Sequence, residues 1–102
     1  MKAELFITKA SLQINKGEID KAVESMKKAI EIGDDRISVV QAHCFLGEYD
    51  FIKQNYISAK EHLEWISEQQ DELETAYDDL LNEELERVDI LLEMIEKFSL
   101  IK

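Results

Sequence analysis

The side chains that could carry out chemistry are few in this sequence of 102 residues, which has two histidines and one cysteine: His43, His62 and Cys44. Neither histidine follows a glutamate by three positions, so the Glu-x-x-His pairs of a di-iron helix site are missing. Cys44 has no second cysteine with which to form a disulfide or a zinc site. We therefore predict no metal, no cofactor and no catalytic residue. Cys44, within the apolar run AHCFL, is expected to be a small buried side chain.

Acidic residues form a second group, but in a pattern that does not suit a metal. The pairs Asp34-Asp35 and Asp78-Asp79 lack the glycine and the alternating oxygens of a calcium loop. The net charge of −11 is concentrated between Glu68 and Glu96, where twelve acids stand beside one base, Arg87. Such a segment repels nucleic acid and anionic membranes and favours basic partners. The alternative interpretation is a solvated helix face that only keeps the protein in solution.

The elements that position these residues are predicted to be long helices, because the chain has no proline and only three glycines. Gly17 and Gly33 are expected to end the first two helices, and Asp34 or Asp35 to cap the third. The third helix is apolar around most of its circumference, which indicates a central position. The five predicted helices run over about 2–15, 18–32, 34–53, 56–69 and 71–98, the last without interruption.

No apolar run is long enough for a signal peptide or a membrane span. Together with the single cysteine, this favours a soluble, cytoplasmic protein in a reducing compartment.

An internal repeat is visible in the spacing of small and apolar residues. The segment from Gly17 through Ala22, Met26 and Ala29 corresponds to the segment from Asn55 through Ala59, Leu63 and Ile66, with an offset of 37 residues from Ala22 to Ala59. Small residues at such positions allow two helices to approach closely. The matching positions are Ala10, Gly17, Ala22, Met26 and Ala29 in the first unit, and Leu46, Gly47, Tyr56, Ala59 and Leu63 in the second.

These positions resemble the tetratricopeptide repeat family over about residues 3–81. The resemblance implies a single all-α domain, an α-solenoid of two helical hairpins (1–33 and 34–70) followed by one long capping helix (71–102). The departures are Lys9 at the usual leucine position, Ile66 in place of the second alanine, a repeat about three residues too long, and the absence of a terminating proline.

The resemblance also implies a protein-binding groove lined by the first helix of each pair. Ile7, Ser11 and Glu48 occupy places where the chaperone-binding branch of the family grips a carboxylate with lysine and asparagine, so we predict a basic or amphipathic ligand instead. By register, the partner-binding residues are predicted to be Glu4, Ile7, Ser11, Ile14, Gln41, Cys44, Glu48, Phe51, Asp78 and Asn82.

The last helix suggests a second mode of binding. Its apolar residues step by four and three, as in a coiled-coil seam, and beyond about Val88 we expect no helix of the same chain to cover them. This predicts a homodimer through Val88, Leu92 and Ile95. The leading prediction is therefore a small adaptor without enzymatic activity that binds another protein and possesses a self-association surface. The rival is a small acidic inhibitor, an immunity-type protein or a nucleic-acid mimic, that blocks a basic partner surface with its C-terminal helix.

Overall fold

A computed structural model describes residues 2–101 of the chain, and this part is all-helical, without strands. The predicted helix boundaries agree with the structure to within about two residues at almost every end. The helices are α1 (Ala3–Asn15), α2 (Ile19–Ile32), α3 (Arg36–Ile52), α4 (Tyr56–Ser67), α5 (Gln70–Tyr77) and α6 (Asn82–Lys97), with a 3-10 turn at Asp78–Leu81 between α5 and α6.

The connections inside the two hairpins have the same hydrogen bonds 37 residues apart. After α1, the amide of Glu18 donates to the carbonyl of Gln13 at 2.8 Å, and after α3 the amide of Asn55 donates to the carbonyl of Asp50 at 2.8 Å. In both turns the preceding residue adopts a left-handed conformation, with φ +77° at Gly17 and φ +65° at Gln54. This is the Schellman motif that commonly ends a helix.

The buried positions repeat with the same 37-residue offset. Ala22 and Ala59 are both fully buried, and the residues one turn and two turns later in each helix are also buried, with at most 5% of their surface exposed. Gly47, the counterpart of Ala10, is buried where α3 crosses α4. The predicted role of the small residues is confirmed there, because a Cβ atom on Gly47 would lie 2.7 Å from Cδ2 of Leu63.

Helix α3 is central, as its apolar circumference predicts. Its side chains enter two separate cores: Ala42 and Leu46 pack with α1 and α2, whereas Val40 and Cys44 pack with the helices that follow. The stacking is also repeated, because α3 packs mainly on α2 and partly on α1, and α6 packs mainly on α4 and partly on α3. Each new helix therefore covers the hairpin before it, which is the arrangement of stacked hairpins.

Two neighbouring aspartates cap two different helices. Asp35 accepts a hydrogen bond from the amide of Ile37 in the first turn of α3, as predicted. Asp34 instead reaches back to the start of the chain, where it accepts from the amide of Ala3 at 2.9 Å. The α2–α3 connection thus also satisfies a free amide group at the N-terminus of α1.

The long C-terminal segment is helical over 28 residues, from 70 to 97, as expected. It is not one straight helix, however, because Asp78 has φ +50° and ψ −124° and starts the 3-10 turn. The turn redirects the chain so that α6, rather than a single continuous rod, packs against α3 and α4. No glycine or proline marks this position, so the sequence contains no local signal for the break.

Candidate partner-binding surface

The structure distributes the predicted groove residues of α1 between two environments. Ile7 and Ile14 are half-buried and pack against the first core, as do Phe45 and Tyr49 of α3. Glu4 and Ser11 are exposed. Ile7 and Ile14 therefore pack against the core of the first hairpin, whereas Glu4 and Ser11 face solvent.

The predicted partner-binding residues of α3 also fall into an exposed and a buried group. Gln41, Glu48 and Phe51 are partly exposed, whereas Cys44 is only 2% exposed and lies in the core. The Cys44 thiol donates to Glu48 Oε1 at 3.2 Å, and burial is the main reason that its pKa is raised well above the ordinary value. The expectation of a small buried side chain is confirmed. Since α6 covers it, Cys44 is withdrawn from the surface that a partner could contact.

Two hollows adjoin each other across the exposed side of α3. Glu48 and Ile52 line both of them, which places these two residues at the centre of one continuous surface. The hollow toward α2 has a volume of about 410 Å³ and the hollow toward α6 has about 160 Å³. We call this region the α3 surface; its residues are Ile19, Asp20, Phe45, Glu48, Tyr49, Phe51, Ile52, Lys53, Arg87, Ile90 and Leu91.

The α3 surface is mostly apolar, with the charged Glu48 beside Ile52 at its centre and Asp20, Lys53 and Arg87 around them. Ile52 is 76% exposed and Ile90 is 48% exposed, although both side chains are hydrophobic. Glu48 Oε1 lies 3.7 Å from Nε of Arg87, and this pair joins α3 to α6 across the smaller hollow. An exposed group of apolar residues with a polar rim is typical of a protein-interaction site.

The last helical segment contributes different residues from those predicted. Asp78 lies in the 3-10 turn and Asn82 begins α6; both are exposed, and neither lines the hollows of the α3 surface. The residues that α6 does contribute are Arg87, Ile90 and Leu91. The register argument assumed one uninterrupted helix through this region, but the 3-10 turn at Asp78–Leu81 separates α5 from α6 and changes which side chains face α3.

The predicted dimerisation seam lies inside the chain. Val88 is fully buried, Ile95 is 4% exposed, and Leu92 packs beside them in the second core. The expectation that nothing covers the helix beyond Val88 is wrong, because α4 packs along α6. The apolar side chains that α6 leaves exposed are instead Ile90 and Met94.

The outer side of α5 and α6 carries the acidic excess. Glu83, Glu86, Asp89, Glu93 and Glu96 are all exposed. Among the described residues, Glu72 is the one acid of segment 68–96 with a basic partner within 4 Å, which is Arg36 at 2.7 Å. The remaining carboxylates face solvent and give this side a strong negative potential.

His43 and His62 form a cluster between α3 and α4 that the sequence did not lead us to predict. The Nδ1 atoms of His43 and His62 are 2.8 Å apart, and the His43 ring stacks on Trp65 with the ring centroids at 4.1 Å. Asp50 Oδ2 lies 3.8 Å from His62 Nε2 and accepts a hydrogen bond from Ser58 at 2.7 Å. One feature of the sequence could have indicated this cluster. His43 and Asp50 are spaced so that they share one face of a helix, and so are Ser58, His62 and Trp65.

Comparisons of the chain with family models, with curated proteins and with solved structures gave no match. Within residues 2–101, no helix combines the length and the apolar character needed to cross a bilayer.

Proposed function

We propose that this chain is a tetratricopeptide-like adaptor without enzymatic activity, which binds a basic, amphipathic segment of another protein on the α3 surface. The repeat of turns and buried positions after 37 residues supports the comparison with that family. The stacking of α3 on the first hairpin and of α6 on the second supports a solenoid. A cytoplasmic setting agrees with the free, buried thiol of Cys44.

The observation that carries the proposal is the exposure of Ile52 at the junction of the two hollows. Its side chain is 76% exposed and is surrounded by apolar residues from α2, α3 and α6. Covering such a group with an apolar helix face would remove hydrocarbon surface from water at about 25 cal/mol per Å². An amphipathic helix fits this surface because it can place one apolar stripe over Ile52 and Ile90.

The charge of the ligand follows from the flanks of the surface. Glu48 at its centre is paired with Arg87, but the acidic side of α6, with Glu86 and Glu93, borders the surface beyond Ile90 and has no such partner within residues 2–101. Basic residues beside the apolar stripe of a partner would meet these carboxylates, and the attraction would mostly raise the rate of association. Binding of the natural partner is therefore expected to weaken as ionic strength rises.

The test compares two isoleucines of similar exposure. Ile52→Asp alters the α3 surface, and Ile57→Asp alters an isoleucine of α4 that is 67% exposed and lies outside that surface. Cross-linking and mass spectrometry in producing cells identify the partner of the unaltered chain. We expect Ile52→Asp to lose that partner and Ile57→Asp to keep it, with helix content unchanged by circular dichroism. Retention of the partner by Ile52→Asp would count against the adaptor.

The exposed acidic face favours one rival function, an immunity-type or nucleic-acid-mimicking inhibitor. Glu83, Glu86, Glu93 and Glu96 all project from α6 into solvent. In that case the carboxylates, rather than Ile52, would provide the binding energy. Replacing these four residues by lysine would then abolish binding at low salt, whereas an adaptor keeps a partner whose main contact is apolar. The same cross-linking experiment on this variant separates the two functions.

A further inference from the structure

The outer side of α1 is exposed at the positions with which α3 joins the first hairpin. With the offset of 37 residues, Leu5 and Leu12 correspond to Ala42 and Tyr49, which pack with that hairpin. Leu5 and Leu12 are each 57% exposed, because no helix within residues 2–101 precedes α1. This side of α1 therefore has the apolar residues of a stacking surface without a hairpin beneath them. We define the α1 outer face as the exposed residues Leu5, Thr8, Lys9, Leu12 and Lys16.

The α1 outer face is basic as well as apolar. Lys9 and Lys16 stand beside Leu5 and Leu12, and both lysines are exposed. In the part of the chain that the structure describes, neither lysine has a carboxylate within 4 Å. The face therefore offers two positive charges next to its apolar residues, which favours a partner that is both acidic and apolar.

The other end of the stack has the complementary character. Helix α6 packs on α4 and α3 with one side and exposes Ile90 and Met94 on the other. Glu86 and Glu93 are exposed beside these two apolar residues, and α6 as a whole has six acidic and two basic residues. We define the α6 outer face as Glu86, Ile90, Glu93 and Met94. It combines exposed hydrocarbon with negative charge, as a partner of the α1 outer face would.

The charges on the two faces also have the same spacing. Lys9 and Lys16 are seven residues apart, as are Glu86 and Glu93, and seven residues span about 10.5 Å along a helix. Two aligned helices can therefore form both ion pairs at once while their apolar residues cover each other. A contact between two α1 faces would oppose lysines to lysines, and one between two α6 faces would oppose glutamates to glutamates. Charge therefore favours the contact between unlike faces.

We propose that copies of this chain associate head to tail, with the α1 outer face of one copy seated on the α6 outer face of the next. A helix on α6 continues the series in which α3 covers the first hairpin and α6 covers the second. At about 0.15 M salt the repulsion between chains of charge −11 is screened beyond about 8 Å, whereas pairs in contact are screened much less. Two short helix faces make a small interface, so the association is weak and depends on concentration. This inference goes beyond the adaptor function and does not depend on it.

Two variants each alter one face without changing its charge. Leu5→Gln/Leu12→Gln alters the α1 outer face, and Ile90→Gln/Met94→Gln alters the α6 outer face; all four residues are exposed, so the fold is retained. In sedimentation velocity, the unaltered chain is expected to associate as its concentration rises toward the millimolar range, and each variant to remain monomeric. An equimolar mixture of the two variants is expected to form a pair with one copy of each, because each variant supplies the face that the other lacks.

The control is Ile57→Gln, which alters an exposed isoleucine of α4 outside both faces and is expected to associate as the unaltered chain does. Circular dichroism establishes that every variant is folded. An unaltered chain that stays monomeric at millimolar concentration would overturn the proposal, as would a mixture that is as monomeric as its two components. Association of Ile90→Gln/Met94→Gln by itself would also overturn it, because the contact would then not need the α6 outer face.

Discussion

Gly47 of α3 lies so close to Leu63 of α4 that no side chain fits between them. A Cβ atom added to Gly47 would be 2.7 Å from Cδ2 and 2.9 Å from Cγ of Leu63, and Leu63 is fully buried. Leu63 cannot turn away without disturbing the second core. The second hairpin therefore depends on the absence of a side chain at position 47.

Gly47→Ala is expected to destabilise the protein by about 1 to 2 kcal/mol, because overpacking of the core exceeds the gain in helix propensity from alanine. Urea unfolding followed by circular dichroism measures this change. In the background of Leu63→Ala the added methyl group has space, so we expect the cost of Gly47→Ala to disappear. An equal cost in both backgrounds would contradict the close contact.

Gln54 occupies the position that Gly17 holds in the first hairpin. It adopts the same left-handed conformation, with φ +65°, although its side chain makes that conformation sterically unfavourable. Gln54→Gly is expected to stabilise the protein by about 1 kcal/mol, because glycine adopts the left-handed conformation without steric cost. The melting temperature should rise by several degrees. Gln54→Ala removes the same polar group but keeps the Cβ atom, and it should produce no such rise.

Substituting Asp34 and Asp35 one at a time gives a matched pair of variants, because each aspartate caps a different helix. Asp34→Ala is expected to cost about 0.5 to 2 kcal/mol, because the amide of Ala3 loses its acceptor at the start of α1. Asp35→Ala should cost a similar amount at α3. Hydrogen exchange separates the two variants: protection should fall in the first turn of α1 for Asp34→Ala and in that of α3 for Asp35→Ala.

The histidine cluster makes stability depend on pH in the acid range. The pKa of His43 is lowered from 6.5 to about 4, mainly by burial and secondly by the neighbouring His62. Between these two pH values the unfolded chain therefore binds more protons than the folded chain. The contribution of His43 to the free energy of unfolding is therefore full above about pH 6.5 and decreases as the pH falls toward 4. Below pH 4 it changes no further. After allowance for solvent screening at a partly exposed ring, we expect a loss of about 1 to 2 kcal/mol.

The groups around His62 shift its pKa in opposite directions. Burial lowers its pKa most, Asp50 of α3 and Glu61 of α4 raise it, and Lys27 of α2 lowers it. Urea titrations between pH 4 and 7 on the unaltered chain and on His43→Gln measure the contribution of the cluster. The slope between pH 4.5 and 6.5 should be reduced in His43→Gln, and equal slopes would refute the prediction.

The sequence by itself determined the local structure. Helix propensity, the left-handed glycines at 17 and 33 and the cap at Asp35 are properties of a few neighbouring residues, and they placed the first four helices correctly. The apolar circumference of α3 indicated its central position for the same reason. The repeat of small residues 37 positions apart also identified where the helices of each pair meet.

Tertiary structure decided which faces stay exposed. Cys44, Val88 and Ile95 are buried because α6 turns back across α3 and α4, and that path depends on the break at Asp78. The sequence contains no glycine or proline to signal this break, and a heptad pattern does not distinguish a partner inside the chain from one outside it. Ile52 and Ile90 line one hollow, and His43 lies beside His62, only because helices that are distant along the chain pack together. Local spacing carries no information about such contacts.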